Sequence, residues 1–131
     1  WCPEKMTYNL RTGLCIANKS EVHIHEGESF CKKLHPGAHL IDIMSEEEQL
    51  AYLPVLESFD DIWTSAIRSA GEGNNLYWPN SGKPLIYTNW HPNQPSVEAN
   101  EYICLMMRKR FLYRWGDHRC RWDAGTALCE W

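Results

Sequence analysis

No apolar run in the chain approaches the roughly 20 residues that a membrane-spanning helix needs, so nothing in it reads as a bilayer anchor. Cys-x-x-Cys pairs are also missing, which removes thioredoxin-type redox chemistry and the common zinc frameworks. Neither a nucleophile elbow nor an oxyanion-donor motif accompanies Ser96, His91 and Asp117, so these three do not make a hydrolytic triad and no enzyme is expected. There is no internal repeat, low-complexity tract or linker, and no net positive charge. The formal charge of -4 argues against bulk binding to nucleic acid or to an anionic membrane. The chain does not open with a signal peptide, so any secretion signal is expected to have been cleaved or to lie outside residues 1–131.

What is present fits one domain spanning residues 1–131, since 131 residues and 15.3 kDa are enough for one core. Seven Trp, six Tyr and three Phe predict a core rich in rings whose polar edges need partners. Six cysteines in so short a chain point to disulfides and therefore to an oxidising, extracellular compartment. Fifteen pairings are possible, and spacing alone does not choose among them. Asn18-Lys19-Ser20 is an N-glycosylation acceptor, with Asn18 as the modified residue.

In chain order, residues 1–18 read as a hairpin with Gly13 in its turn. Val22 and Ile24 suggest a short strand, and a first helix is expected from His25 or Glu26 to Leu34, stopped by His35-Pro36-Gly37. Ala38 to Met44 alternates as a strand. Ser45 followed by Glu46, Glu47 and Glu48 is a capping box opening a second helix to about Glu57. Leu50, Leu53, Val55 and Leu56 are expected to face inward there, and Pro54 to cut or kink the helix. Ile62–Ile67, Tyr77-Trp78, Leu85–Tyr87, Tyr102–Met107, Phe111–Trp115 and Thr126–Trp131 are further strand candidates, separated by a polar loop over 69–75 and by Pro, Gly and Asn punctuation. Two early helices and several late strands make an α+β domain.

The stretch from Thr88 to Cys120 stands out. Pro92 and Pro95 exclude both a helix and a central strand between Trp90 and Ser96, leaving a rigid loop from which Asn, Gln and Ser oxygens project. Together with Trp63-Thr64-Ser65-Ala66, Asn89-Trp90, Gln94-Pro95-Ser96, Trp115-Gly116-Asp117 and the closing Cys129-Glu130, this resembles the long form of the C-type lectin-like domain over essentially the whole chain, with phrasing similar to secreted invertebrate members. The resemblance implies two helices packed on short antiparallel sheets, a long-loop binding region over 69–117, and disulfides Cys2–Cys15, Cys31–Cys129 and Cys104–Cys120.

It also implies a calcium site. In sugar-binding members the ion is held by the first and third residues of a Glu-Pro-Asn or Gln-Pro-Asp motif, by a later Glu, and by the Asn and Asp of Trp-Asn-Asp. Its proline is cis. Here Gln94, Glu101 and Asp117 match as metal ligands, Ser96 offers only a short hydroxyl, and Gly116 brings no side-chain oxygen. Because Ca²⁺ takes six to eight oxygens, the implied site is weak, and no tightly bound cofactor is expected. An auxiliary site near Ser69 and Glu72 is poorer still.

The implied function is an extracellular recognition module for glycan or protein ligands, with weak or no calcium dependence. A calcium-dependent lectin and a disulfide-rich piece of a larger assembly are the alternatives. Ligand contact is assigned to Gln94, Ser96, Glu101, Asp117, Arg114 and Arg119. Six of the 13 basic residues fall within residues 108–121, which reads either as a solvated turn at Arg108-Lys109-Arg110 or as an end that recognises anionic ligands; the expected partner is a glycan or extracellular protein, without nucleic acid and without membrane insertion. His23 and His25 would share a strand face but lack further zinc ligands. His91 and His118 flank the loop and read as surface histidines. Trp63, Trp78, Trp90, Trp115 and Trp122 read as core and loop support.

Overall fold

A computed structural model describes residues 1–68, 75–96, 102–120 and 123–131. An amino-terminal hairpin joins β1 (Thr7–Asn9) to β2 (Leu14–Val22), with the Asn9 side-chain oxygen accepting from the backbone of Arg11 and Thr12 in the turn. Helix α1 (Ile24–Leu34) follows, then β3 (His39–Leu40) and α2 (Glu46–Leu56). The remaining strands are β4 (Asp61–Arg68), β5 (Tyr77–Trp78), β6 (Lys83–Pro84), β7 (Ile103–Arg108), β8 (Arg114–Arg119) and β9 (Gly125–Glu130). Most pairings are antiparallel. Strand β9 is central, pairing with β2 and β3 and, in parallel, with β4 through Ile62↔Thr126 and Trp63↔Ala127. From β4 the sheet continues to β7, and β7 to β8 in an unbroken register from Ile103↔Arg119 to Arg108↔Arg114.

Several elements differ from the sequence reading. Ile24 opens α1 rather than extending a strand, so His23 caps that helix and His25 lies inside it. They share no strand face. His23 reaches the Asp123 carbonyl at 3.0 Å and His25 faces Glu28. The strand expected over 38–44 shrinks to His39–Leu40, while Ile41 bonds both ways, to Leu128 and to Ser65. Ser45 Oγ accepts from Glu48 N at 3.2 Å, as a cap requires. Helix α2 runs through Pro54 and ends two residues later at Leu56, so Pro54 lies within its last turn. The buried face of α2 is Gln49, Tyr52 and Leu56, at spacings of three and four, which turns Leu50 out to 58% exposure. Residues 85–87 form no strand, and Phe111 belongs to a 3₁₀ turn (Lys109–Phe111) ahead of β8.

Two apolar clusters fill the interior. Beneath α1, Val22, Ile24, Leu40, Trp63, Met106 and Ala127 pack together; α1 approaches β9 so closely that a Cβ on Gly27 would lie 2.8 Å from that of Ala127. Beneath α2, Ile41, Ile43, Leu56, Leu105, Trp115 and Leu128 form the second. The disulfides are Cys2–Cys15 in the hairpin, Cys31–Cys129 from α1 to β9, and Cys104–Cys120 across the base of the β7–β8 pair. All six cysteines are bonded. Among the described residues, no helix is long and apolar enough to cross a membrane.

Candidate functional site

Trp115 is the hub that holds the proline-bearing loop. Its ring is fully buried, its indole N–H donates to Gln49 Oε1 at 2.9 Å, and the rings of Trp78, Tyr87 and Trp90 meet it edge to face. Its backbone N–H donates to Asn89 O and its carbonyl accepts from His91 N, which docks the loop along the outer edge of β8. Pro92 and Pro95 have no N–H to donate, so the loop is held to β8 by Asn89 and His91, just ahead of the first proline. Asn93 adopts a positive φ and the Gln94–Pro95 peptide is cis.

This docking brings Gln94, Ser96 and Asp117 together. Ser96 N–H donates to Asp117 Oδ1 at 2.7 Å, and Ser96 Oγ lies 3.3 Å from Gln94 Oε1 and 3.5 Å from Asp117 Oδ1. Asp117 is buried, so the loop backbone is tied to a carboxylate anchored in the sheet. These residues border a recess of about 220 Å³ shared with Arg108, Arg110 and Arg119. Arg114, at the exposed start of β8, does not line the recess. Glu101 lies outside the described residues, as do Ser69, Glu72 and Trp122.

Two features of the recess escaped sequence reasoning. Phe111 lies flat against His91, with ring centres 4.0 Å apart and planes 6° apart, and Arg110 sits over Phe111 at 5.0 Å. The backbone that delivers Phe111 turns through Leu112 and Tyr113, both with positive φ, and Tyr113 OH anchors it by donating to Phe59 O at 2.7 Å. Gly116 makes the arrangement possible: a Cβ there would meet Phe111 Cε2 at 3.0 Å. The position that bears the calcium-ligating Asn in the resembling pattern is thus covered by a phenyl ring.

The second is a relay across three strands. Arg108 donates to Asp61 Oδ2 at 3.3 Å and to His118 Nε2 at 2.7 Å, while His118 Nδ1 lies 2.8 Å from Asp123 Oδ2. A guanidinium only donates, so Nε2 accepts and the neutral imidazole carries its proton on Nδ1, toward Asp123. Burial, then the Arg108 charge, pull the His118 pKa down against the opposing pull of Asp123. Neither His91 nor His118 is an ordinary surface histidine, because one is stacked and the other is 16% exposed. Their positions beside the loop were visible in the sequence; the partners 20 and 10 residues away were not.

Among the described residues, Gln94 Oε1, Ser96 Oγ and the Asp117 carboxylate are brought together at this end and Asp123 borders the same recess, fewer side chains than the six to eight oxygens a calcium ion takes, and Asp117 Oδ1 already accepts from Ser96 N–H. A different cluster, His39, Asp42 and Glu130 at the junction of β3 and β9, places its possible ligand atoms within 4.8 Å of one another. Tyr52 OH donates to Glu130 Oε1 at 2.5 Å, and Ser65 Oγ bonds Asp42. Burial, with the Asp42 carboxylate adding to it, pushes the Glu130 carboxyl up to about 8. Both carboxylates are thus engaged within the fold, and the cluster belongs to the core and not to the loop.

Against known families, the lectin C-type domain matches residues 20–131. The chain belongs to the C-type lectin domain family. Members of this family are binding proteins, not enzymes. C-type Lectin CRL of Crotalus ruber ruber is 28% identical over 125 residues, covering 90% of each chain. Lectin BRA-3 of the invertebrate Megabalanus rosa is 26% identical over 130 residues, covering 98% of this chain and 78% of its own. Among solved structures, the mouse scavenger receptor C-type lectin carbohydrate-recognition domain superposes with a TM-score of 0.79 at 23% identity, covering 99% of this chain and 95% of that one. An SPL-1 complex with GlcNAc superposes at 0.78 with 20% identity, covering 99% and 94%. At these identities the structural likeness speaks for the C-type lectin fold alone.

Proposed function

We propose that this C-type lectin domain, as a single domain over residues 1–131, is an extracellular recognition module that binds glycans through its long-loop end with weak or no dependence on calcium. The observation that carries this reading is the convergence of Gln94, Ser96 and Asp117 beside a Gly116 covered by Phe111. Polar oxygens suited to sugar hydroxyls remain, while the shell that would hold an ion tightly does not. Support for glycan as the ligand comes from relatives named as lectins and from a neighbour solved with GlcNAc. The extracellular setting is supported by three disulfides and by an exposed Asn18 in its acceptor sequence on β2.

In this reading Gln94 offers both an acceptor and donors to adjacent hydroxyls, Ser96 bridges, and Asp117 fixes the loop from below. Arg119 adds a donor at the rim of the recess, and Glu101, outside the described residues, is assigned a further acceptor from its place in the sequence. A glycan array probed with the parent chain and with Gln94→Ala tests it. The expected result is a discrete set of bound glycans whose signal falls at least about tenfold in the variant, the loss of one or two ligand hydrogen bonds, with no change in melting temperature. Undiminished binding by Gln94→Ala would move the site elsewhere.

A further inference from the structure

The recess at the long-loop end is organised around arginine, and its charge balance indicates what it takes. Arg108, Arg110 and Arg119 line it against two carboxylates, Asp117 and Asp123. Both carboxylates are committed within the protein, Asp117 to the Ser96 N–H and Asp123 to His118. Arg108 divides its terminal nitrogens between Asp61 and His118. Arg110 differs: it is exposed, no carboxylate among the described residues pairs with it, and its guanidinium rests over a Phe111 ring that is itself braced by His91. A stacked guanidinium has already given up much of its rotamer freedom, so it meets an anion at lower entropic cost than a free surface arginine.

We infer that this recess binds an anionic group carried on a saccharide, namely a sulfate, a phosphate or a carboxylate. The group is held by Arg110 at the mouth with Arg119 beside it, and Gln94 and Ser96 take the neighbouring hydroxyls. The planar fork of a guanidinium matches all three groups in bidentate fashion, which is why the shared chemistry is assigned rather than one of them. A volume of about 220 Å³ is smaller than the roughly 300–1,000 Å³ of a site for a drug-sized molecule and suits one sugar residue with its charged substituent. This inference rests on the glycan-binding reading above and narrows it to charged sugars.

The test is calorimetry of the whole chain, in chelator, with galactose 6-sulfate, mannose 6-phosphate, glucuronic acid, the uncharged parent sugars and inorganic sulfate. The expected result is that at least one charged sugar binds about tenfold or more tightly than its neutral parent, the lower range for a hydrogen bond to a charged group. That preference should fade as salt rises from about 0.1 M to about 1 M, where the screening length falls from about 10 Å to about 3 Å. Arg110→Ser should remove the preference. Lys109→Ser, whose ammonium faces Asp60 outside the recess, should keep it. Equal binding of charged and neutral sugars, or a preference that survives Arg110→Ser or is lost equally in Lys109→Ser, overturns this inference and leaves the glycan reading standing. Binding of inorganic sulfate that Arg110→Ser abolishes, with no sugar bound, upholds the anion site and overturns the glycan reading. No binding of any probe overturns both.

Discussion

Replacing Gly116 with Asn restores the residue type that carries calcium in the resembling pattern, and the structure gives a definite cost for doing so. The new Cβ would lie 3.0 Å from Phe111 Cε2, closer than nearly all real Cβ contacts, and 3.5 Å from Gln94 Oε1. The phenyl ring cannot retreat freely, because His91 is stacked on it and Arg110 lies over it. Overpacking of this kind costs about 1–3 kcal/mol, which in a domain of this size lowers the melting temperature by about 4–12 °C. The stack also blocks the Asn oxygen, so Gly116→Asn alone should not gain calcium. Adding Phe111→Ala removes the obstruction; the double variant should recover part of the stability lost on adding Asn and bind calcium more tightly than either single variant. Thermal melts and calorimetry with Ca²⁺ read both effects. A Gly116→Asn variant that melts within about a degree of the parent would refute the reasoning, since the ring would then not be what keeps position 116 small.

The Glu130 carboxyl, pushed up to about 8 in the fold by burial against an ordinary 4.5, stabilises the protein fully below about pH 4.5 and loses that contribution as pH rises toward 8. The gap corresponds to about 5 kcal/mol at most, so Glu130→Gln should flatten the decline in stability between pH 5 and pH 8; parallel urea curves for parent and variant across that range would contradict it. Disulfide removal should rank by place and loop length. Ser substitution of Cys31 and Cys129, 98 residues apart, is expected to cost about 4–5 kcal/mol, whereas loss of Cys2–Cys15, 13 apart in the peripheral hairpin, costs about 3 kcal/mol or less by denaturant titration. Equal losses would show that the hairpin is as central as α1 and β9. Expression in a eukaryotic secretory host should add a glycan at Asn18, seen as a mass increment absent from Asn18→Gln.

Much of this fold was legible because local signals agreed with each other. Ser45 and three following glutamates set the start of α2, Trp63 and its neighbours lie in a buried strand, and Pro92 and Pro95 mark the loop. Errors arose where tertiary packing decides. Nothing local says that α2 shows Tyr52 rather than Leu50 to the core, since that depends on a hydrogen bond to Glu130, 78 residues away. The short β3 is likewise set by β9 at the opposite end of the chain. At the site, Gln94, Ser96 and Asp117 could be named from their order along the chain. The meaning of Gly116 could not be read there, because it comes from Phe111 folding back through two left-handed residues that carry no glycine signal. The basic run split in the same way: Arg108 is spent on Asp61 and His118, Lys109 faces Asp60, and Arg110 lines the recess.

The central claim is that the long-loop end recognises glycans without needing a tightly held calcium ion. The most direct measurement is calorimetric titration of the purified chain with Ca²⁺, followed by one glycan array run with calcium and again with chelator. The account predicts a dissociation constant in the range of about 10⁻³ M or no detectable binding, at the weak end of calcium sites, and the same bound glycans at similar strength in both arrays. A micromolar constant together with an array that goes blank in chelator would contradict it.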